Sequence, residues 1–489
     1  MLSPIWEHWR LVLSAVAVSI DIAASLHALL NKRDSRSTIT WIGFIWLVPV
    51  AGSFLYFYLG INRLQRRARK LRAAHRPGVS ATTAKCQDHA VHALGAGFLA
   101  PPDVVTASLA PLAQLVGTVT SRSLLSGNSV EPLLNGDEAF PRMLAAIQAA
   151  QRSVSLSTYI FDNDRSGKMF VVALQEAVSR GVQVRVIIDD VGARYSFPSI
   201  IRLLRRAHIP VARFLPTSMP WRSPFPNLRN HRKLLIVDGR TAFTGGLNLR
   251  EGHCLKANPS HPVADLHFAI RGPVVAQMQD VFADDWRFCT EEVLDGDLWF
   301  PPPGIHGEVA ARGISHGPDD DFETLRTIFL GALTCATQRV VIVTPYFLPD
   351  LALVSALNVA ALRGVQVDIV LPVRGNLPLV QWAATALLWQ VLEQGCRVWW
   401  TPPPFDHSKL LLVDGVWSLI GSANWDPRSL RLNFEFNLEC YDAALCRSLE
   451  ELVQSKLRHA RRVTLQEVDG RPFFVKLRDG LAKLFTPYL

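Results

Sequence analysis

Two nonapeptides in the chain are nearly the same: HRKLLIVDG at 231–239 and HSKLLLVDG at 407–415, 176 residues further on. Each holds a histidine, a lysine two places later, a short apolar run and an Asp-Gly pair. The run favours a strand, and Asp-Gly before a second apolar run favours a hairpin with a tight turn. Side chains of a strand alternate faces, so His231 and Lys233 point the same way, as do His407 and Lys409. An imidazole beside an ammonium repels a metal ion and attracts an anion. Two such strands face to face make a pocket of two histidines and two lysines around one phosphate. Each hairpin then runs into small residues and an amide: Gly245, Gly246 and Asn248 in the first, Gly421, Ser422 and Asn424 in the second. The glycines admit close backbone approach, while Asn248, Ser422 and Asn424 supply donors for phosphate oxygens. Asp238 and Asp414 complete the two copies; an Asp-Gly turn accounts for them as turn or supporting residues rather than proton donors. A lone H-x-K is an ordinary surface or core histidine. Two copies on matched hairpins, each followed by Gly-x-x-Asn, are a candidate phosphate-centred catalytic site.

The elements that position these hairpins are themselves duplicated. RSVSLSTYIFDND at 152–164 matches QRVVIVTPYFLPD at 338–350, and RGVQV stands at 180–184 and again at 363–367. In each copy a helical stretch precedes the glycine and a β-branched run follows it, which is a strand-helix-strand unit with parallel strands. The chain therefore reads as α/β: two similar α/β/α domains, 131–297 and 322–465, with the active site at their interface. The Pro/Gly-rich stretch 298–321 reads as the interdomain linker, 77–130 as an Ala/Ser/Thr/Gly/Pro-rich linker, and 466–489 as an amphipathic tail. Three consecutive Asp at 319–321 fit a helix N-cap before FETLRTIFLGAL better than a metal site.

Hydrophobic residues make up 49% of the 489, with mean hydropathy +0.17, and the first part of the chain holds the excess. Leu11–Leu30 and Trp41–Ile61 are each long and apolar enough to cross about 30 Å of hydrocarbon, so residues 1–76 read as a two-helix transmembrane hairpin and a basic juxtamembrane segment. Asp21 lies inside the first span, which fits either a packing contact within the hairpin or a tilted, shallow placement. The segment 63–76 carries seven Lys or Arg and the loop 31–40 three, which puts both ends of the hairpin in the cytoplasm. Residues 1–76 hold eleven Lys or Arg against three acids, a net of +8 out of the chain's +9, so the rest carries +1. That distribution suits an anionic lipid bilayer and argues against nucleic acid as a partner. The seven cysteines show no paired or zinc-like spacing and fit free thiols in a reducing compartment.

The motif H-x-K-x-x-x-x-D with a downstream G-[GS]-x-N resembles that of the phospholipase D superfamily. With the membrane hairpin, TPYFLPD and GSANWDPRSLRLNFEFN, nearly the whole chain resembles the bacterial cardiolipin synthases that carry an N-terminal membrane hairpin. The resemblance implies that one histidine attacks phosphorus to give a phosphohistidine and the other protonates the leaving alcohol and deprotonates the incoming one. It gives His231 as nucleophile and His407 as general acid/base, the pseudo-symmetry leaving the reverse open. Lys233, Lys409, Asn248 and Asn424 would then stabilise the pentacoordinate state, with no metal or other cofactor. The family also orients each histidine with a carboxylate downstream of its motif. Asp265, 34 residues after His231, and Glu435, 28 after His407, occupy the matching places, though VADLH stands where the family usually has Trp-Arg-Asp. The implied reaction joins two phosphatidylglycerol molecules into cardiolipin and glycerol at the bacterial inner membrane. A membrane phospholipase D using other phospholipids would share every catalytic residue, and only its products would differ. The loop 214–230, with Trp221 and Phe225, either dips into the interface or roofs the pocket, and the tail 472–489 either packs on the domain or meets lipid.

Overall fold

The computed structural model describes residues 3–32, 35–60, 96–216, 228–318 and 323–486. It divides into two compact units, Met1–Leu71 and Arg72–Leu489.

In the first unit, helix α1 (Ser3–Asn31) contains a stretch, Leu11–Asn31, long and apolar enough to cross a membrane. The second apolar segment does not form the continuous span expected over 41–61. It breaks into α2 (Ser35–Leu47), a turn at Val48–Val50, and α3 (Ala51–Leu55) continued by a π-helical turn, Tyr56–Gly60. Pro49 has no N–H and its ring opposes a continuing helix, and Val50 takes φ 64°. The chain then folds back beside α2: a Cβ on Gly52 would lie 2.7 Å from the Phe44 carbonyl, and one on Gly60 3.1 Å from the Trp41 ring. Asp21, 2% exposed, resolves its own puzzle by capping this break. Its Oδ1 accepts from the Val50 N–H at 3.1 Å and from Ser53 Oγ at 2.5 Å, satisfying the donors that the start of α3 leaves open. The basic segment 63–76, like 77–95, lies outside the described residues.

The second unit is built on one sheet. The first repeat contributes β1 (Leu125–Leu134), β2 (Ser153–Thr158), β3 (Gln183–Asp189), β4 (Val211–Phe214), β5 (Arg229–Asn230), β6 (Leu234–Val237), β7 (Thr241–Gly245), β8 (Val263–Ala264) and β9 (Leu266–Arg271). The second contributes β10 (Val309–His316), β11 (Arg339–Val343), β12 (Gln366–Pro372), β13 (Arg397–Thr401), β14 (Phe405–Asp406), β15 (Leu410–Val413), β16 (Trp417–Gly421), β17 (Asn433–Tyr441) and β18 (Arg461–Val463). Their order is β18-β13-β12-β11-β15-β16-β17-β10-β1-β9-β7-β6-β2-β3-β4, with β5 added on β17 and β8 paired to β14 apart from it. Read outward from the antiparallel β10–β1 junction, the two sides match strand for strand as far as β13 and β4, and β18 extends the second repeat by one strand.

Both strand-helix-strand units form as the sequence implies. Asp164 and Asp350 cap the helices Arg165–Ser179 and Leu351–Leu362 by accepting from Gly167 N (2.8 Å) and Leu353 N (3.0 Å). Gly181 and Gly364 follow those helices at φ 88° each, a conformation only glycine takes without strain, and β3 and β12 then pair parallel to β2 and β11.

Two expected linkers are structural elements. Residues 309–316, inside the expected interdomain linker, are β10 at the middle of the sheet; the Pro/Gly-rich residues 301–307 before it are irregular. The strand was hidden because it is buried on both faces, with Arg312 neutralised by Glu439 at 2.5 Å, so no alternation marks it. Within 77–130, the helix Ala110–Thr120 packs Leu112 and Val116 against Leu325, Ile328 and Phe329, and β1 starts at Leu125. Residues 319–322, and with them the proposed Asp cap, lie outside the described residues.

Candidate active site

Each H-x-K segment enters the β6–β7 or β15–β16 hairpin, and the Asp-Gly turn closes it with both residues at positive φ: Asp238 52°, Gly239 60°, Asp414 52° and Gly415 66°. The Asp238 carboxylate accepts from the N–H groups of Gln151, Arg152 and Ser153 at 2.7–3.2 Å, tying the turn to the start of β2. Asp414 accepts from Thr337, Gln338 and Arg339 N–H at 2.8 Å each. A full strand separates these turns from the lysines, roughly 15 Å at about 3.3 Å per residue. Asp238 and Asp414, the last residues of the two H-x-K-x-x-x-x-D motifs, are therefore hairpin anchors outside the site.

The segments before the two histidines cross to the opposite repeat. β5 runs parallel to the start of β17, and the His231 N–H donates to the Phe434 carbonyl at 2.9 Å. β14 runs parallel to β8, and the His407 N–H donates to the Ala264 carbonyl at 2.7 Å. The next residue on each partner strand is a carboxylate. Hence His231 Nδ1 pairs with Glu435 (2.9 Å to Oε2) and His407 Nδ1 pairs with Asp265 (2.8 Å to Oδ2), each carboxylate fully buried. The carboxylate downstream of each motif thus serves the histidine of the other repeat, not its own. With Nδ1 held as donor, each Nε2 carries the free lone pair.

The paired small residues fit the two carboxylates. A Cβ on Gly246 would lie 2.1 Å from Asp265 Oδ1, so only glycine admits that side chain. Ser422, the matching residue, donates its hydroxyl to Glu435 Oε2, and Asn433 Nδ2 donates to Oε1 at 3.1 Å. Ser422 was expected to bind phosphate; its proton is committed to Glu435 instead. Asn248 Oδ1 accepts from Ile160 N–H at 3.2 Å, leaving its amide donors, and Asn424 Nδ2 lies 3.4 Å from Asp426 Oδ2. Lys233 Nζ donates to the His231 carbonyl at 2.7 Å and Lys409 makes the same bond to His407.

Burial dominates the electrostatics. It lowers His231, against the pull of Glu435, and lowers His407 well below the usual imidazole range, helped by Lys409, Lys233 and His231 itself. The crossed pairs His231–Glu435 and His407–Asp265 bring both rings to one site between the repeats. Burial also brings Lys233 down to about 7 and Lys409 to about 8, opposed chiefly by Glu435 and Asp265 respectively. The two carboxylates differ. Burial raises both, but His231, Lys233 and the Ser422 hydroxyl bring Glu435 to about 2, whereas Asp265 stays above its ordinary value despite Lys409. An anion introduced among these four cationic or protonatable groups replaces lost hydration with charge.

Several residues were not singled out from the sequence. Tyr159 stands edge-on to His231 (5.3 Å between centroids) and Tyr346 to His407 (6.3 Å), walling the site symmetrically. Arg232, the middle residue of the first H-x-K, is ion-paired with buried Asp285 at 2.5 Å. The Asn248 N–H meets His253 Nε2 at 3.4 Å where the Asn424 N–H donates to Ser429 Oγ at 3.0 Å, both five residues downstream. The repeated tyrosine strands carried the first signal; the last pair shares position but not residue type, so no repeat marks it. Of the loop 214–230, residues 217–227, including Trp221 and Phe225, lie outside the described residues.

A duplicated sheet that brings two H-x-K hairpins to one pocket defines a phospholipase D-like protein. The family model described as "Cardiolipin synthase, PLD-like domain" matches residues 143–286 and 329–457, and the chain belongs to that family. A second, "Phospholipase_D-nuclease N-terminal", matches residues 19–60. Relatives include a cardiolipin synthase A of Pseudomonas entomophila, 33% identical with 96% of each chain covered, and a cardiolipin synthase of Geobacillus kaustophilus, 30% identical over 99% of this chain and 95% of that one. The major cardiolipin synthase ClsA of Bacillus subtilis is 29% identical, with 94% and 95% covered. Among solved structures, the phosphatidylserine synthase of Haemophilus influenzae shares the fold, with a TM-score of 0.62 at 15% identity over 77% of this chain and all of that one.

Proposed function

We propose that the chain is a cardiolipin synthase, a phosphatidyltransferase that moves a phosphatidyl group from one phosphatidylglycerol to the terminal hydroxyl of another. The observation that carries this reading is the pair of cross-bonded histidines beside two buried lysines. His231 Nε2 attacks the donor phosphorus and the glycerol oxygen leaves; His407, protonated at Nε2 once the phosphate anion is bound beside it, supplies the proton that completes free glycerol. The acceptor hydroxyl then returns a proton to His407 while its oxygen attacks the phosphorus, and the bond to His231 breaks. Two phosphatidylglycerols thus give cardiolipin and glycerol with no nucleotide consumed. The firmly ionised Glu435 favours His231 as the nucleophile, because it offsets the positive charge of a phosphorylated imidazole better than Asp265 does. Lys233, Lys409, Asn248 and Asn424 meet the charge that builds on the equatorial oxygens. The apolar α1 supports attachment to the bacterial inner membrane, with the catalytic unit on the cytoplasmic side where free thiols and basic segments are at home.

Purified protein in detergent, given phosphatidylglycerol without a nucleotide-activated lipid or added metal, releases one glycerol per cardiolipin, and His231→Ala or His407→Ala abolishes it. Cardiolipin formation that required a nucleotide-activated donor would overturn the mechanism, and phosphatidic acid as the main product would favour the hydrolase.

A further inference from the structure

The tail helix Phe473–Lys483 docks by one edge only. Ala482 packs with Val380, Ala383 and Ala384 of the helix Pro378–Thr385, and buried Asp479 bonds Arg478 at 2.7 Å and is also ion-paired with Arg471. The opposite side is open: Phe473 is 69% exposed, Phe474 79%, Leu481 53% and Leu484 71%, with Leu477 and Phe485 between them. At about 100° per residue these six fall within one arc of roughly 120°. Cations border that arc on both sides, Lys476 and Lys483 along one edge and Arg478, stacked 4.5 Å over Trp382, along the other. An apolar stripe this wide is costly in water, and its flanking Lys and Arg have the reach to keep their charges at an anionic headgroup layer while their stems lie in the boundary.

The docking edge ties this stripe to the catalytic centre. Tyr346 packs against the same small cluster as Ala482, and its ring faces His407. The other repeat carries a matching rim: Tyr195, 59% exposed, meets Tyr159, which faces His231, and Phe197 is 95% exposed two residues on.

We propose that the exposed face of the helix Phe473–Lys483 seats in the surface of an anionic bilayer and holds the mouth of the catalytic unit against it. The stripe would let a two-chain lipid pass from bilayer to site without crossing water. This rests on the phosphatidyl-transfer reading only in naming the lipid substrate.

The test uses the full chain with two forms of phosphatidylglycerol, long-chain lipid in vesicles and the monomeric dihexanoyl lipid. Phe473→Asp/Phe474→Asp lowers turnover of the vesicle lipid at least tenfold and leaves the monomeric lipid within twofold. Unchanged vesicle turnover, or equal loss on both substrates, would overturn the proposal. A nitroxide at position 474 in proteoliposomes gives an independent reading that needs no turnover. Relaxation by oxygen above that by a water-soluble nickel chelate supports lipid contact, and the reverse order refutes it. If the parent protein turns over neither lipid, the functional reading fails while the nitroxide still decides the placement of the helix.

Discussion

Replacing Glu435 by Gln keeps size and shape but removes the charge that faces His231. Burial alone would raise this carboxyl; the imidazole, the Lys233 ammonium and the Ser422 hydroxyl hold it at about 2, against an ordinary value of 4.5. At about 1.4 kcal/mol per unit, the ionised form gains about 3 kcal/mol from its surroundings. Part of that is the bond to His231 at 2.9 Å, and a charge-assisted hydrogen bond accounts for about 1.5–3 kcal/mol. The neutral amide also reorders the protons. Asn433 Nδ2 requires an acceptor at the Oε1 position, which turns the Gln NH₂ toward Ser422 and His231 Nδ1. A donor there forces the imidazole proton onto Nε2 and removes the attacking lone pair. Losing the charge alone predicts a fall of roughly 10²-fold in the burst of glycerol release, and the tautomer change adds to it. The assay is single-turnover glycerol release from phosphatidylglycerol, with Tm recorded alongside. For folding, a depressed carboxyl stabilises above its unfolded value and loses that contribution as pH falls from about 4.5 through about 2, so Glu435→Gln has its full destabilisation at pH 7. Release within threefold of the parent, in a folded variant, would refute the role given to the cross-repeat pair.

Four other outcomes follow from the same geometry. Asp265→Asn weakens His407 instead, slowing the step in which it takes the acceptor's proton, so phosphohistidine trapped by a denaturing quench at neutral to alkaline pH rises relative to turnover. Lys233, at about 7, and Lys409, at about 8, lose their charge as pH rises, so kcat/KM falls on the alkaline side with apparent pKa values of about 7–8, and Lys233→Met flattens that limb. Asp414→Ala removes the acceptor of three backbone N–H groups at the surface, where water replaces it in part, and lowers Tm by a few degrees, at about 0.5–1.5 kcal/mol net per hydrogen bond, while turnover per folded molecule falls less than threefold. Asp21→Ala uncaps α3, leaving the Val50 N–H and Ser53 hydroxyl unpaired, and lowers the detergent Tm more than Asp21→Asn, which still accepts one bond.

What could be read from the chain was whatever local chemistry dictates. Asp-Gly fixes the hairpin turns, Gly181 and Gly364 fix two helix ends, and the alternation around His231 and Lys233 fixes a shared face. What could not be read depended on distant partners or on single residues inside a run. The His231 partner lies 204 residues away, and counting downstream from each histidine pairs the carboxylates with the wrong rings. β10 lacks alternation because both faces are covered, so its Arg312 and Gly313 mimic a loop. Hydropathy sums over 41–61 see enough apolar length for a span, but one proline and a capping Asp21 decide that the segment turns back.

The crossing segments explain why the two repeats are joined in one sheet. A histidine from one half becomes a fixed-tautomer nucleophile or base only when the other half delivers its carboxylate, and the short strands β5 and β14 set the register of that delivery. A shift of one residue in either would reverse the side-chain faces and remove the carboxylate from Nδ1. The β10–β1 junction restrains that slip by binding the halves through the centre of the sheet. Half of the molecule would therefore hold an H-x-K hairpin with a free, unoriented imidazole, and both half-reactions would fail together rather than one at a time.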